Sequence, residues 1–108
     1  MTENIPKVIE AYFKAVSDHD FDAIETCFTE DATVHDEKRD YKGVKEIRAW
    51  LEEAAKKYEY RSVPLSSKEK DGGLIVKTRL IGNFPGSPVE VEYIFTLRQD
   101  KISSLIVD

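Results

Sequence analysis

Asp36 is the residue of this sequence best placed to do proton chemistry on a carbon acid. It ends a short alternation, Ala32-Thr33-Val34-His35-Asp36, in which every second side chain points to the same side of a strand. The carboxylate therefore shares the face of the apolar residues Ala32 and Val34, and desolvation on such a face makes a carboxylate a stronger base. The alternative is that the strand has ended by Asp36 and that the side chain lies in water.

Two tyrosines lie on the apolar faces of a predicted helix and a predicted strand. Tyr12 falls between Ile9 and Phe13 on the buried face of a helix, and Tyr93 is in phase with Phe95 on a strand. A buried phenol needs a hydrogen-bond partner, and it can donate to a substrate oxygen where the protein offers none. Two linked phenols would stabilise a developing enolate better than one. The alternative is that both are core aromatics whose hydroxyls bond to the protein.

Other side chains are expected to surround the same space. Tyr58 and Tyr60 either line it or cover the surface, and the predicted lining residues are Phe13, Val34, Trp50, Tyr58, Val91 and Phe95. His35 faces away from Asp36 on the strand, so the two do not form a pair or converge on a metal ion. We therefore expect neither a metal site nor a cofactor, and we interpret the lone Cys27 as a buried structural thiol.

Composition narrows the function classes. The sequence is 41% hydrophobic and 34% charged, which is typical of a globular domain, and its 108 residues fit a single domain spanning 1–108. A net charge of −5 argues against nucleic acid as a partner. No apolar run approaches the ~18 residues of a membrane span, and the N-terminal segment is amphipathic, so we expect a cytoplasmic protein with no membrane partner.

The hydrophobic periodicity predicts helices first and strands afterwards. Apolar residues recur at steps of three and four in three segments, and at steps of two in the others. Such a sheet has one apolar face, which the helices cover, so the fold class is α+β with a concave space at the open end. The predicted helices span 6–16, 20–28 and 43–58, the predicted strands 31–36, 58–68, 74–84, 89–98 and 101–107, and a charged loop 37–42.

Three segments resemble the nuclear transport factor 2-like superfamily, in its SnoaL-like and ketosteroid-isomerase-like branch. AYFKAVSDHDFDAIETCFTEDATVHD is similar to that family's helical hairpin and first strand, YKGVKEIRAWL to its glycine-led third helix, and VEYIFTLRQDKISSL to its terminal strand pair. The resemblance implies a cystatin-like cone, in which a curved, mostly antiparallel sheet wraps around three N-terminal helices and encloses a pocket. It also implies a homodimer, which we expect to form through the outer face of the sheet at Ile75, Ile81 and Ile94.

The resemblance also implies roles for individual residues. In ketosteroid isomerases a carboxylate at the end of the first strand shuttles a proton between substrate carbons, and a first-helix tyrosine holds the dienolate oxygen. Asp36 and Tyr12 match these positions, whereas Tyr93 or a near neighbour stands where the family has a second acid. The expected function is an isomerase or cyclase that acts on a small, apolar, carbonyl-bearing ligand. The alternatives are a non-catalytic ligand-binding or dimerisation module, and a hydrolase or dehydratase.

Overall fold

The computed structural model describes residues 5–36, 38–70 and 72–107, and it begins with the predicted helical hairpin. Helix α1 spans Lys7–Asp18 and helix α2 spans Phe21–Cys27. His19 ends α1 in the left-handed conformation, with φ at 55°. Asp20 caps α2, because its carboxylate accepts a hydrogen bond of 3.2 Å from the Ala23 N–H. Helix α3, Val44–Lys57, follows Gly43, whose φ of 84° suits a residue without a side chain.

The strands form one open sheet that is mostly antiparallel. The strands are β1 Phe28–Asp36, β2 Arg39–Lys42, β3 Tyr60–Lys70, β4 Gly73–Gly82, β5 Val89–Arg98 and β6 Lys101–Val107. Their order in the sheet is β2-β1-β6-β5-β4-β3, and β1 and β6 are the one parallel pair among the described residues. Three helices with a six-stranded sheet confirm the predicted α+β class.

The prediction of a charged loop over 37–42 is wrong for its second half. Residues Arg39–Lys42 form an edge strand that pairs antiparallel with β1, with Thr33 opposite Lys42 and Asp36 opposite Arg39. Only Tyr41 of this strand is partly buried, so no apolar alternation marks it. Its stability comes from backbone pairing rather than side-chain burial. Glu37 and Asp71, which belong to the predicted loop and to a predicted hairpin turn, lie outside the described residues.

The core lies between the helices and the inner face of the sheet. The alternation predicted for β1 is confirmed as far as Val34, since Ala32 and Val34 are fully buried while Thr33 is exposed. The largest fully buried side chains from the helices and strands are Tyr12, Phe28, Phe95, Ile9, Ile24, Ile47, Ile102 and Leu105. Within the described ranges, we find no helical segment with the length and hydrophobicity of a membrane span.

Gly82 allows β3 and β4 to approach closely where β3 begins. A Cβ atom built on Gly82 would lie 2.5 Å from the Cβ of Tyr60 and would also overlap the Glu59 carbonyl oxygen. A side chain at this position would therefore push Tyr60 away from the β4 backbone. The glycine fixes Tyr60 at the edge of the core, which matters for the site described next.

Candidate functional site

Asp36 is the last residue of β1, and its carboxylate is half-buried beside helix α3. Its Oδ2 atom accepts a hydrogen bond of 3.0 Å from the indole Nε1–H of Trp50. A donor on a neighbouring element both orients a carboxylate and stabilises its charged form. Asp36 is therefore held in a defined place at the border of the core.

Trp50 is itself held by the edge strand that the sequence pattern missed. Its ring is half-buried and stacks on the Tyr41 ring, with 5.7 Å between the ring centroids and 30° between the planes. The Arg39 guanidinium lies 5.6 Å from the centroid of the same Tyr41 ring, within cation–π distance. Strand β2 thus supplies an aromatic and a cationic side chain to the surroundings of Asp36.

Tyr12 and Tyr93 pack against the same two phenylalanines. The Phe13 ring lies 5.5 Å from the Tyr12 ring and 5.7 Å from the Tyr93 ring, and the Phe95 ring lies 5.9 Å and 6.0 Å from them. Tyr12 is 1% exposed and Tyr93 is 6% exposed. The first helix and the fifth strand therefore bring the two phenols into one aromatic cluster.

The two phenols are held in their neutral form. Burial raises the pKa of Tyr12 well above 10, and electrostatic interactions with Tyr93, Tyr60 and Asp36 raise it further. Burial likewise raises the pKa of Tyr93, as do Tyr60 and Asp36, while a hydrogen bond with the Ser62 hydroxyl opposes the rise. Both side chains therefore remain O–H donors throughout the physiological range, and Asp36 is electrostatically coupled to each of them.

The third phenol of this region is Tyr60 and not Tyr58. Burial and then the charge of Asp36 raise the pKa of Tyr60. Tyr58 is 39% exposed, and its ring packs on Phe84 at 6.0 Å. Tyr58 caps the end of α3, whereas Tyr60 is the first residue of β3. The alternation of side chains along β3 therefore applies to Tyr60 but not to Tyr58. Sequence alternation alone treats the two positions alike and cannot separate them.

The other predicted lining residues lie in the core or at its border. Phe13, Val34 and Phe95 are buried in the core, and Val91 is half-buried on the inner face of β5. Trp50 contacts Asp36 directly, as described above. The structure therefore joins Asp36 to Trp50 by a hydrogen bond and gathers Tyr12 and Tyr93 around two phenylalanines, and electrostatic coupling links Asp36 to the phenols.

His35 lies on the opposite face of β1, as the alternation predicts. Its Nδ1 atom is 2.7 Å from Oδ1 of Asp40 on strand β2, so a His–Asp pair exists on the outer face of the sheet. Sequence reasoning missed this partner because it missed the strand. Across the described ranges, no group of three or more His, Cys, Asp or Glu side chains converges as a metal site would require.

Cys27 is buried and makes no disulfide, as expected. Its thiol donates to the Ala23 carbonyl oxygen over 3.4 Å, and burial raises its pKa. A thiol with a raised pKa is a poor nucleophile near neutral pH. Cys27 is therefore part of the packing of α2.

A sequence profile of the SnoaL-like domain family matches residues 9–105. This chain belongs to the SnoaL-like domain family. Its SnoaL-like fold is similar to the crystal structure of a candidate polyketide cyclase from Sinorhizobium meliloti, with 35% identity, a TM-score of 0.93, and coverage of 97% of this chain and 96% of that one. None of the curated proteins compared with it matches the chain.

More distant structures share the fold of this SnoaL-like domain. A protein with a ketosteroid isomerase-like fold from Catenulispora acidiphila, in complex with trimethylamine, is 17% identical with a TM-score of 0.84, and the match covers 97% of this chain and 86% of that one. A cystatin-fold protein from Novosphingobium aromaticivorans is 16% identical with a TM-score of 0.78, and the match covers 94% and 95%. These likenesses confirm the predicted cystatin-like and nuclear transport factor 2-like architecture.

Proposed function

We propose that this SnoaL-like domain acts as an isomerase or cyclase on a small, apolar, carbonyl-bearing molecule. Asp36 is the base, and Tyr12 and Tyr93 are the donors that hold the enolate oxygen. The observation that carries the proposal is the arrangement of one half-buried carboxylate, fixed by Trp50, at the end of a core that holds two neutral phenols. The likeness to a candidate polyketide cyclase at 35% identity supports this class of reaction.

The proposed chemistry balances without a further reactant. The Asp36 carboxylate takes a proton from the carbon next to the substrate carbonyl, and the electron pair of that C–H bond moves to form an enolate. The phenols of Tyr12 and Tyr93 donate hydrogen bonds to the enolate oxygen, where the negative charge develops. In an isomerisation, Asp36 returns the proton to another carbon of the conjugated system. In a cyclisation, the enolate carbon attacks a second carbonyl, and the resulting alkoxide takes the proton.

A non-conjugated, unsaturated test ketone lets the proposal be examined before the natural substrate is known. Cyclohex-3-en-1-one becomes the conjugated cyclohex-2-en-1-one when one proton moves from its C2 to its C4, and the conjugated product is followed by its ultraviolet absorbance. We expect the wild-type chain to accelerate this conversion and Asp36→Asn to lower the rate about 10²–10⁴-fold, the usual contribution of a general base. Asp31→Asn, on the same strand, is the matched control. Equal rates for Asp36→Asn and the wild type would refute the proposal.

A second candidate function is ligand binding without catalysis. It is favoured by the Trp50 N–H, which already engages Asp36 Oδ2, and by the bond between Ser62 and Tyr93, because both place protein partners where a substrate would bind. Trimethylamine is a suitable probe, since a structure with the same fold contains it and a carboxylate beside aromatic rings attracts an ammonium group. Calorimetric binding of trimethylammonium without conversion of any enone would favour this candidate.

We also propose that the chain forms a homodimer through the outer face of the sheet. Ile75 of β4, Ile94 of β5 and Ile106 of β6 are register neighbours and make an apolar row across three strands, with Ile106 40% exposed. Ile81, half-buried at the other end of β4, belongs to the same face. We expect Ile94→Lys to convert a dimer into a monomer in sedimentation velocity at micromolar concentration. A wild-type monomer under the same conditions would contradict this proposal.

The remaining expectations concern partners and location. We propose one domain over residues 1–108 and a cytoplasmic location. We also propose that the chain has no nucleic-acid partner, which its net charge of −5 and the mixed signs of its charged residues support. A mobility-shift assay with duplex DNA and with single-stranded RNA at low salt tests the partner, and we expect no shift. Cell fractionation tests the location.

A further inference from the structure

The hydrogen bond between Trp50 and Asp36 depends on the orientation of the indole ring. Trp50 lies next to the buried Leu51 on α3, but its own side chain is only half-buried and packs at the border of the core. An N–H donor must point at its acceptor, because a hydrogen bond weakens steeply when its angle falls below about 120°. A rotation of the indole would therefore take the donor away from Asp36 Oδ2.

Tyr41 is the aromatic partner of this indole. Strand β2 pairs with β1 so that Tyr41 lies opposite the fully buried Val34, and Arg39 lies opposite Asp36. Residues opposite each other on paired strands point to the same face of a sheet, so both β2 side chains point to the inner face. There the Tyr41 ring stacks on the Trp50 ring, with 5.7 Å between their centroids.

The junction between β2 and α3 restricts how the two rings can move apart. The Lys42 N–H donates to Glu46 Oε1 over 2.8 Å, and the Gly43 N–H donates to the Ala32 carbonyl oxygen over 2.8 Å. The first bond ties the end of β2 to the first turn of α3, and the second ties the junction to β1. Both bonds therefore hold the helix beside the strand that carries the tyrosine.

Arg39 contacts the same tyrosine ring from an exposed position. Its guanidinium carbon lies 5.6 Å from the centroid of the Tyr41 ring. A cation is attracted to the face of an aromatic ring, and this attraction is weak where water reaches the pair. Arg39 therefore restrains the tyrosine ring, and its contribution is expected to be modest.

We infer that Tyr41 is a positioning residue for the proposed base: its ring holds the Trp50 indole, and the indole N–H holds the Asp36 carboxylate. This inference rests on the proposed function, because it takes Asp36 to be the base. It gives the edge strand β2 a part in the reaction, in which Tyr41 acts through Trp50 rather than by contact with the substrate.

Exchange of the indole proton with water reports this positioning without any turnover. Trp50 is the single tryptophan of the chain, so proton–nitrogen NMR shows one indole N–H to follow. We expect Tyr41→Leu to speed its exchange about tenfold, because a hydrogen bond to a charged group slows exchange by at least that factor. Asp36→Ala, which deletes the acceptor, gives the rate for the broken bond. Tyr41→Phe keeps the ring and should exchange at the wild-type rate.

The kinetic test separates positioning from folding. Tyr41→Leu should lower kcat for cyclohex-3-en-1-one about tenfold and leave KM within about twofold, since a misplaced base slows the chemical step and not the binding of the ketone. Tyr41→Phe should return kcat to within about twofold of the wild type. Tyr58→Leu, at the exposed ring beside Phe84, is the matched control. A purely structural role predicts an unchanged kcat at temperatures where circular dichroism shows the variant folded.

A double variant tests whether Tyr41 acts through Trp50. Trp50→Phe keeps an aromatic ring and deletes the N–H that bonds to Asp36. If the effect of Tyr41 depends on that N–H, Tyr41→Leu should change kcat less than about twofold in the Trp50→Phe background. A full tenfold loss in that background would overturn the route through the indole.

A charge variant tests the contact between Arg39 and the tyrosine ring. Arg39→Gln should lower kcat about threefold, as the loss of an exposed cation–π contact would. Arg61→Gln, at an exposed position of β3, is the control. Equal kcat values for the two variants would remove Arg39 from the account.

The inference and the proposed function fail in different ways. If Tyr41→Leu leaves both the indole exchange rate and kcat at wild-type values, the inference is overturned while the proposed function stands. If exchange is faster but kcat is unchanged, Tyr41 orients the indole without any part in the reaction, and the inference is again overturned. If the wild type does not accelerate the conversion, the proposed function fails, and the exchange rates alone decide whether Tyr41 positions the carboxylate.

Discussion

Asp31 and Asp36 are two carboxylates on the same strand, and the structure gives them opposite surroundings. The Asp31 side chain is 71% exposed and accepts hydrogen bonds from Arg98 Nη2 at 2.6 Å and from Thr29 Oγ1 at 2.9 Å. Asp36 is half-buried and accepts from the Trp50 indole. Odd-numbered residues of this part of β1 face out and even-numbered residues face in. The position on the strand, and not the residue type, therefore decides which carboxylate is a candidate for chemistry.

The electrostatic consequences of the two positions also differ. Arg98 and then Thr29 hold the pKa of Asp31 below its usual range, and solvent screens the interaction. Asp36 instead acts on its neighbours, because its charge raises the pKa of three phenols in the low-dielectric core. An exposed carboxylate is thus stabilised by a cation, whereas the inner one adds to the effect of burial, which keeps the surrounding phenols protonated.

After Asp36→Asn, the largest effect on the rate should come from removing a buried phenol. Tyr12→Phe deletes a donor that the proposal directs at the enolate oxygen, and loss of one such donor lowers the rate by about 10²-fold or more. Tyr93→Phe should have a similar effect. The conversion of cyclohex-3-en-1-one measures both rates, and Tyr58→Phe at the exposed ring is the matched control. A rate for Tyr12→Phe equal to that of Tyr58→Phe would remove Tyr12 from the site.

A second prediction compares how much stability is lost when a hydrogen-bond donor to Asp36 or to Asp31 is removed. Trp50→Phe deletes the N–H that bonds to Asp36 and leaves a half-buried carboxylate without that partner, which should lower the free energy of unfolding by about 1–3 kcal/mol. Thr29→Ala deletes a donor to the exposed Asp31, where water can replace it, so the loss should be smaller. Urea denaturation measures both. A larger loss for Thr29→Ala would reverse the comparison.

A third prediction uses stability at alkaline pH to test the burial of Tyr12 and Tyr93. Burial keeps Tyr12 and Tyr93 protonated in the folded chain, whereas the unfolded chain releases their protons near pH 10. The contribution of the two protonated phenols to the free energy of unfolding is complete below pH 10. It is lost as the pH rises above 10, by up to about 1.4 kcal/mol per pH unit for each phenol. Tyr93→Phe should reduce this slope in denaturation measured from pH 9 to pH 11. An unchanged slope would contradict the burial assigned to Tyr93.

The smallest expected effect concerns acid pH and the outer carboxylate. The pKa of Asp31 is lower in the folded chain than in the unfolded chain, where it is about 3.9. The contribution of Asp31 is therefore present above that value and is lost as pH falls through and below it. Asp31→Asn should flatten the acid side of the stability curve slightly between pH 5 and pH 2. A steeper acid side in the variant would show that the bond to Arg98 is not stabilising.

Several features of the fold could be read from the sequence because side-chain burial creates them. The steps of three and four in 6–16 and the steps of two in 89–98 correspond to α1 and β5, and Asp20 caps α2 as expected. Strand β2 could not be read in this way, since it lies at the sheet edge and buries little apart from part of Tyr41. The parallel pairing of β1 with β6 joins distant segments, and local patterns carry no signal for it.

Part of the candidate site could also be predicted, because burial leaves a local pattern in the sequence. Alternation directs Asp36 inward and helical periodicity buries Tyr12, and both placements follow from local pattern. The bond between Trp50 and Asp36 depends on how α3 crosses the end of β1, and the choice of Tyr60 over Tyr58 depends on where α3 ends and β3 begins. Such contacts arise from tertiary packing, which a single sequence does not reveal.

Proton exchange into a test ketone is the most direct measurement of the difference between the two carboxylates. Cyclohex-3-en-1-one is incubated in D₂O with the wild type, Asp36→Asn or Asp31→Asn, and proton NMR follows the loss of the signal from the carbon between the carbonyl and the double bond. We predict that the wild type and Asp31→Asn exchange this proton at rates within about twofold of each other, and that Asp36→Asn falls to the buffer rate. Exchange by Asp36→Asn at the wild-type rate would contradict the account.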